Sequence, residues 1–455
     1  MGAIILLVLL FFLLIVSYRY LHKNLLSPSL QMIAMFMVGT LSYVFASQAW
    51  GTRLSFETVA VIFLALLFFA IGEFLSNKTK TNGFSLFKRK VTITNIFKED
   101  TRIYVKPIVF LLFLGIGVLT VIGSFKYAYT LSVYAGNKYG ISYMLNFVYY
   151  AKYNLKDIPQ EPQYVTFGAV ITECFATISL FVFFANNRIK LKKRVVYLVP
   201  LLLHAGVSCL NSGRTWILRV LITIFTLYLY FVLLRNGKKN VFKVLILAGL
   251  FGVAFVLLYH FLGVARQSMT AEYETIFAYP ASPIEALNEY LASPVYSNVF
   301  GKETLITIKI ILNKFGFNFD INTISLETVS WNGYETNIYT SIRRYIADYT
   351  FIGMLVIQLI IGFIYGRLNK RLLKTKSISY VLVYSMIMYP IIESLFEERF
   401  FLSLLSAGTI YIIVLMPIMS TMIKEKKCKQ SYYKKSYKKH SNSLLYLEKT
   451  IQTVD

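Results

Sequence analysis

Apolar residues in this chain fall in blocks of 16–22 with almost no charge. An α-helix of that length crosses about 30 Å of hydrocarbon. Lipid offers the backbone no hydrogen bonds, so such blocks must be helical unless strands close into a barrel. The alternating segments of a membrane barrel are absent. The chain is 56% hydrophobic and 15% charged, where soluble domains carry about 25% charge. The expected fold is therefore all-α: a polytopic integral membrane protein with eleven spans. They lie at 3–18, 30–49, 56–75, 107–124, 164–185, 195–210, 216–234, 241–262, 350–368, 378–394 and 400–423. Gly2–Val16 lacks a basic n-region and a small-residue cleavage site, so it reads as a retained span.

The formal charge of +25 would point to nucleic acid in a soluble protein. Its distribution says otherwise. About 33 of the 47 Lys and Arg residues lie in every second connection, which makes those connections cytoplasmic by the positive-inside rule. The alternation closes with the N-terminus outside and the C-terminus inside. The tail, KEKKCKQSYYKKSYKKH, reads as a topogenic, lipid-attracted segment, with no nucleic-acid role.

Four regions follow. Residues 1–262 hold spans one to eight and a Tyr-rich external loop, 126–163, expected to rest on the membrane surface. Residues 263–349 form a large external loop, partly helical around 302–315, and loops of that length are usually functional. Residues 350–423 hold spans nine to eleven, and 424–455 form the basic tail.

No Walker A or dinucleotide glycine pattern occurs, so no cofactor is expected. Cys174, Cys209 and Cys428 show no pairing pattern, and the four histidines are scattered, so neither a disulfide framework nor a metal site is expected. His204 is expected to face the interior of span six. His260, at the external end of span eight, is a weak base candidate. The external arginines say more: Arg214 in NSGRTWILR, with Arg219 just inside span seven; Arg266 in GVARQ; Arg343 and Arg344 in NIYTSIRRYIADYTFIG; Arg399 in EERFF. The positive-inside rule works against them, and charge near hydrocarbon is costly unless paired or wetted. Arginine binds phosphate in a planar, bidentate way. The simpler alternative is pairing with Glu335, Asp348, Glu393, Glu397 and Glu398. Glu173, inside span five, is read as a partner for an arginine or as lining of a polar cavity.

NSGRTWIL, the long external loop, NIYTSIRRYIADYTFIG with the following LIIGFIYGRL, and ERFFLSLLSAGTIYIIV together resemble the O-antigen and capsular repeat-unit polymerases, the Wzy family. Arg343 and Arg344 precede Gly353 by a shorter gap than the Arg-then-ten-residues-then-Gly pattern of some members, so that pattern does not carry over. The resemblance implies a glycosyltransferase in the bacterial plasma (inner) membrane. It would join undecaprenyl-pyrophosphate-linked oligosaccharides into polymer at the outer face, alongside a chain-length regulator. The expected pyrophosphate clamps are Arg214, Arg266, Arg344 and Arg399. The expected general base is Asp348, then Glu335, then Glu398. Arg219, Arg343, Glu173 and His260 are secondary candidates.

A lipid-linked oligosaccharide flippase or other secondary transporter is the main alternative, but it calls for more polar residues deep in the spans. A ligase of the related kind would need a loop histidine, and 263–349 has none. An enzyme using a polyprenyl-phosphate sugar would place an acidic pair early in the first large loop, where only Asp157 and Glu161 occur, at its far end. A sensor or scaffold is the non-enzymatic alternative.

Overall fold

A computed structural model describes residues 1–21, 24–79, 101–155, 157–187, 189–211, 214–236, 252, 257, 274–321, 327–375 and 377–427. Eight of its helices are long and apolar enough to cross a membrane: α1 (Gly2–Tyr20), α2 (Pro28–Trp50), α3 (Phe56–Lys78), α4 (Pro107–Tyr134), α6 (Gln163–Ala185), α7 (Leu191–Leu210), α8 (Ile217–Leu234 within Arg214–Asn236) and α11 (Ser341–Thr375). Two shorter apolar helices, α12 (Ile378–Glu393) and α13 (Ala407–Ser420), correspond to the last two expected spans. The expected span 241–262 lies outside the described residues. Apart from two small two-stranded ribbons the regular structure of the described residues is helical, and the chain is a multi-pass membrane protein.

Local chemistry sets several helix ends. The Ser27 hydroxyl accepts the Leu30 N–H and Pro28 follows at the first position of α2, while Gly51 (φ +64°) closes that helix left-handed. The Ser55 hydroxyl caps α3 through the Thr58 N–H. α11 is two helices joined at Thr350, whose φ of 64° and ψ of 177° fall in a region β-branched residues avoid. The break lies where span nine was expected to begin. It leaves 341–349 as a separate short helix on the loop side.

Helix α3 packs closest to α11, and small residues permit it. A β-carbon on Gly362 would sit 2.1 Å from the Phe69 carbonyl oxygen, and one on Gly72 would sit 2.1 Å from that of Leu359. In lipid such close backbone approach, rather than water exclusion, drives helix association.

Contacts group the chain's connections at two ends, as alternating spans require. At one end β1 (Thr101–Val105) pairs antiparallel with β4 (Ile423–Lys427), so α4 starts where the last apolar helix finishes. The buried Glu73 carboxylate also lies at this end and accepts from Ser27 Oγ (2.9 Å), Ser29 N (2.8 Å) and Ser29 Oγ (2.5 Å). Lys370 there caps the last carbonyls of α3, bonding the Asn77 oxygen at 2.7 Å.

At the opposite end lies the rest of the long loop. It contains α9 (Glu274–Ala292), α10 (Ile306–Asn313) and a hairpin of β2 (Val329–Trp331) and β3 (Tyr334–Thr336). The described loop residues are knitted onto the bundle. Glu285 of α9 accepts from the Tyr43 hydroxyl of α2, Trp331 packs edge-on to Trp50 with centroids 5.2 Å apart, and Asn332 Nδ2 donates to the Trp50 carbonyl at 2.6 Å. In the 126–163 connection, α4 runs ten residues past its expected end. α5 (Met144–Asn154) folds back on it through Met144, Val148 and Ala151.

Candidate functional site

Three of the expected site residues, Arg343, Arg344 and Arg399, converge at the loop end, on the short helix 341–349 and the 394–399 connection. Arg343 binds the Glu303 carboxylate. Arg344 Nη1 lies 3.7 Å from the same Glu303 oxygen, and its Nη2 lies 3.8 Å from Glu397 Oε1. Arg399 reaches Glu397 Oε2 at 2.5 Å and Glu393 Oε2 at 3.3 Å. The result is one chain of alternating charge: Arg343, Glu303, Arg344, Glu397, Arg399, Glu393. Three basic and three acidic groups alternate; Glu393 and Glu397 were among the acids named as alternative partners for the arginines, and Glu303 joins them.

Burial grades along this chain. The side chains of Arg344 and Glu393 are 7% and 3% exposed, whereas those of Arg399 and Glu397 are 23% and 34% exposed. The Arg399–Glu397 pair is therefore the opening to solvent. Buried polar atoms are left over beneath it: Nε of Arg343 and of Arg344, Oε1 of Glu393, and the hydroxyls of Thr340 and Ser341 have no hydrogen-bond partner among the described residues. Leaving a buried polar group unpaired costs about 1–3 kcal/mol, so the cluster is underfilled. The Arg343 guanidinium lies over the rings of Tyr290 and Tyr339, 4.8 and 5.3 Å from their centroids. Burial pushes the Tyr290 phenol up to about 12, with Arg343 opposing.

The expected bases stand elsewhere. Asp348 is occupied in holding the 303–304 turn: its carboxylate accepts the N–H groups of Glu303 (3.1 Å) and Thr304 (2.8 Å) and the Thr304 hydroxyl (2.8 Å). Glu398 is fully buried and accepts the N–H groups of Phe401 (2.8 Å) and Leu402 (3.0 Å) and the Tyr345 hydroxyl (2.9 Å). Burial raises its carboxyl above the usual range, and those donors pull the other way. Both carboxylates hold loop backbone, leaving little room for an incoming hydroxyl. Glu335 is exposed on β3 and enters none of the ion pairs of the cluster. Arg214 is the first residue of α8, with its side chain outside the described set; Arg266 and His260 lie outside the described residues altogether.

A second polar group lies inside the bundle. Arg219 Nε meets Glu173 Oε1 at 2.8 Å, joining α8 to α6. The guanidinium also lies over the Tyr389 ring of α12 at 4.7 Å. His204 of α7 faces this interior, as expected, and lines a small cavity with Glu173, Thr177 and Thr223; its Nδ1 has no hydrogen-bond partner among the described residues.

Two buried carboxylates gave no site expectation in the sequence. Glu73, at the opposite end of the bundle, was visible as a carboxylate within an apolar block. Glu303, which organises the arginine cluster, had no local signal, because it resembles any charged residue of a long loop. Among the described residues no His, Cys, Asp or Glu group has the makings of a metal site. No family model, curated protein or solved structure matches the chain.

Proposed function

We propose that this membrane protein is a glycosyltransferase that polymerises lipid-pyrophosphate-linked oligosaccharide units at its loop end, the outer face of the bacterial plasma membrane by the charge rule. The observation that carries this reading is the underfilled arginine cluster, buried at Arg344 and open at Arg399. A pyrophosphate entering at Arg399 brings oxygens for both arginines and displaces Glu397 from between them. Two guanidiniums then face the leaving group and offset the charge that grows on it.

The acceptor hydroxyl attacks the anomeric carbon of the donor glycan. The carbon–oxygen bond to pyrophosphate breaks, and the carrier lipid pyrophosphate leaves with the bonding electrons. The hydroxyl proton passes to a carboxylate. Glu397, released and half-buried beside the leaving group, suits that role better than Asp348 or Glu398, whose oxygens already hold backbone.

The test is complementation of a strain lacking the gene. Compared at matched membrane levels of the protein, Arg344→Ala should abolish long polymer and accumulate single lipid-linked units. Full-length polymer from that variant would end the clamp model. A second reading, a lipid-linked oligosaccharide flippase, rests on the Glu173–Arg219 pair and its cavity within the spans. In that case the deletion strain would hold its lipid-linked units on the cytoplasmic face.

A further inference from the structure

Segment 313–319 of the long loop is a small closed turn that exposes three phenylalanines. Asn313 closes it: Nδ2 donates to the Phe319 carbonyl and Oδ1 accepts the Phe319 N–H, both at 2.8 Å. Gly316 turns the chain at φ +93°, a conformation costly for other residues. The rings of Phe317 and Phe319 stack at 5.9 Å. Phe315 is 77% exposed and Phe317 56%. An ordered turn that holds large apolar rings in water needs an apolar partner.

The position of the turn identifies that partner. α10, which leads into it, is pinned to the last apolar segment of the bundle by the Thr307 hydroxyl, which donates to the Leu402 carbonyl at 2.7 Å. Nearby in sequence, Phe300 is 73% exposed. Its ring meets that of Tyr349, one residue before the break in α11, with centroids 4.8 Å apart. Thr304 Oγ1 lies 2.6 Å from the Tyr349 hydroxyl. Both apolar spots are thus tied to the ends of membrane-spanning segments. Lys302 and Lys314 are exposed beside them, as is Asp320 after Phe319, while Glu303 is buried in its ion pairs, so the exposed charge of 300–320 is net positive.

We propose that Phe315, Phe317 and Phe319, with Phe300, insert into the leaflet at the loop end, and that Lys302 and Lys314 meet anionic headgroups. Exposed aromatic rings flanked by lysine are the chemistry of an interfacial anchor, which sinks about 5–10 Å into the boundary of headgroups and acyl chains. The anchor fixes the height of the long loop over the membrane, and with it the height of the arginine cluster that 303–304 helps to build. It stands whether or not the cluster transfers sugars.

The test places an environment-sensitive NBD label at Phe317→Cys in the full chain, with Cys174, Cys209 and Cys428 changed to Ser. The chain is reconstituted into vesicles of phosphatidylcholine with a minority of phosphatidylglycerol. The expected result is blue-shifted emission, lost when the vesicles carry a shallow nitroxide lipid. A label at Glu335→Cys should keep the emission of water. Water-like, unquenched emission at 317 overturns the proposal and makes the turn a surface for a protein partner or a second copy. The unaltered chain gives an independent readout: a lipid carrying a diazirine high on its acyl chain should leave adducts on the 313–319 peptide. Their absence, with adducts present on α4, would equally overturn it.

Discussion

Arg399 holds Oε2 of Glu397 at 2.5 Å, while Arg344 lies 3.8 Å from its other oxygen, Oε1. The pair stands where the buried part of the charge network reaches solvent. Glu397 is therefore the one carboxylate of the network that can leave its partners without exposing a buried charge.

An ion pair that reaches solvent contributes only about 0–1 kcal/mol to stability, and this pair, though half-buried, reaches it. Glu397→Gln is accordingly expected to shift thermal unfolding in detergent very little while it abolishes polymer in complementation. A large loss of stability would make Glu397 a structural residue. Wild-type polymer would remove it as the base.

Glu303 is expected to behave in the opposite way. It is the shared anion of Arg343 and Arg344, and all three side chains are nearly buried. Breaking a buried pair by removing one partner costs about 3–5 kcal/mol. Glu303→Ala should therefore destabilise the chain by about that much, read as a lowered midpoint in thermal or denaturant unfolding.

The Glu173–Arg219 pair is testable by a double-mutant cycle. Glu173→Leu and Arg219→Leu each strand a charge among apolar helices. The double variant strands none and should be more stable than the sum of the two losses, by about 0.5–3 kcal/mol. Additive losses would mean that the two groups do not interact in the membrane.

Gly362→Ala adds only a β-carbon, but that carbon would lie 2.1 Å from the Phe69 carbonyl oxygen. Rigid backbone must move to admit it, at a cost of about 1–3 kcal/mol. Gly115, where a β-carbon meets nothing within 4 Å, is the control, and Gly115→Ala should leave the unfolding midpoint unchanged or raised.

Burial of Glu398 raises its carboxyl above the ordinary value of 4.5. The folded chain therefore keeps this proton to higher pH than the unfolded chain does. The resulting stabilisation is fully present below pH 4.5 and is lost as pH rises through the folded-state value. As pH rises above 4.5, the wild type should lose stability relative to Glu398→Gln, which cannot titrate. Parallel stability curves for the two would contradict this.

Much of the architecture was legible in the sequence, because crossing hydrocarbon imposes length and apolarity on each helix separately. All eight long helices fall on expected spans. The Thr350 break and the Gly362 contact were not legible, since both arise between α11 and its neighbours. The arginines stood out in sequence by being on the side where the charge rule disfavours them. Their partners did not: Glu303 lies about forty residues from Arg343 and Arg344, and only folding brings it between them.

The sequence by itself determined that this is a helical membrane protein whose basic residues gather in alternate connections. Those properties depend on each segment's exchange with lipid and water. Tertiary structure decided which charges meet, which carboxylates are taken up by backbone donors, and that Glu397 stands at the opening. Those outcomes depend on distances of a few ångströms between residues far apart in the chain. Neither composition nor spacing fixes such distances.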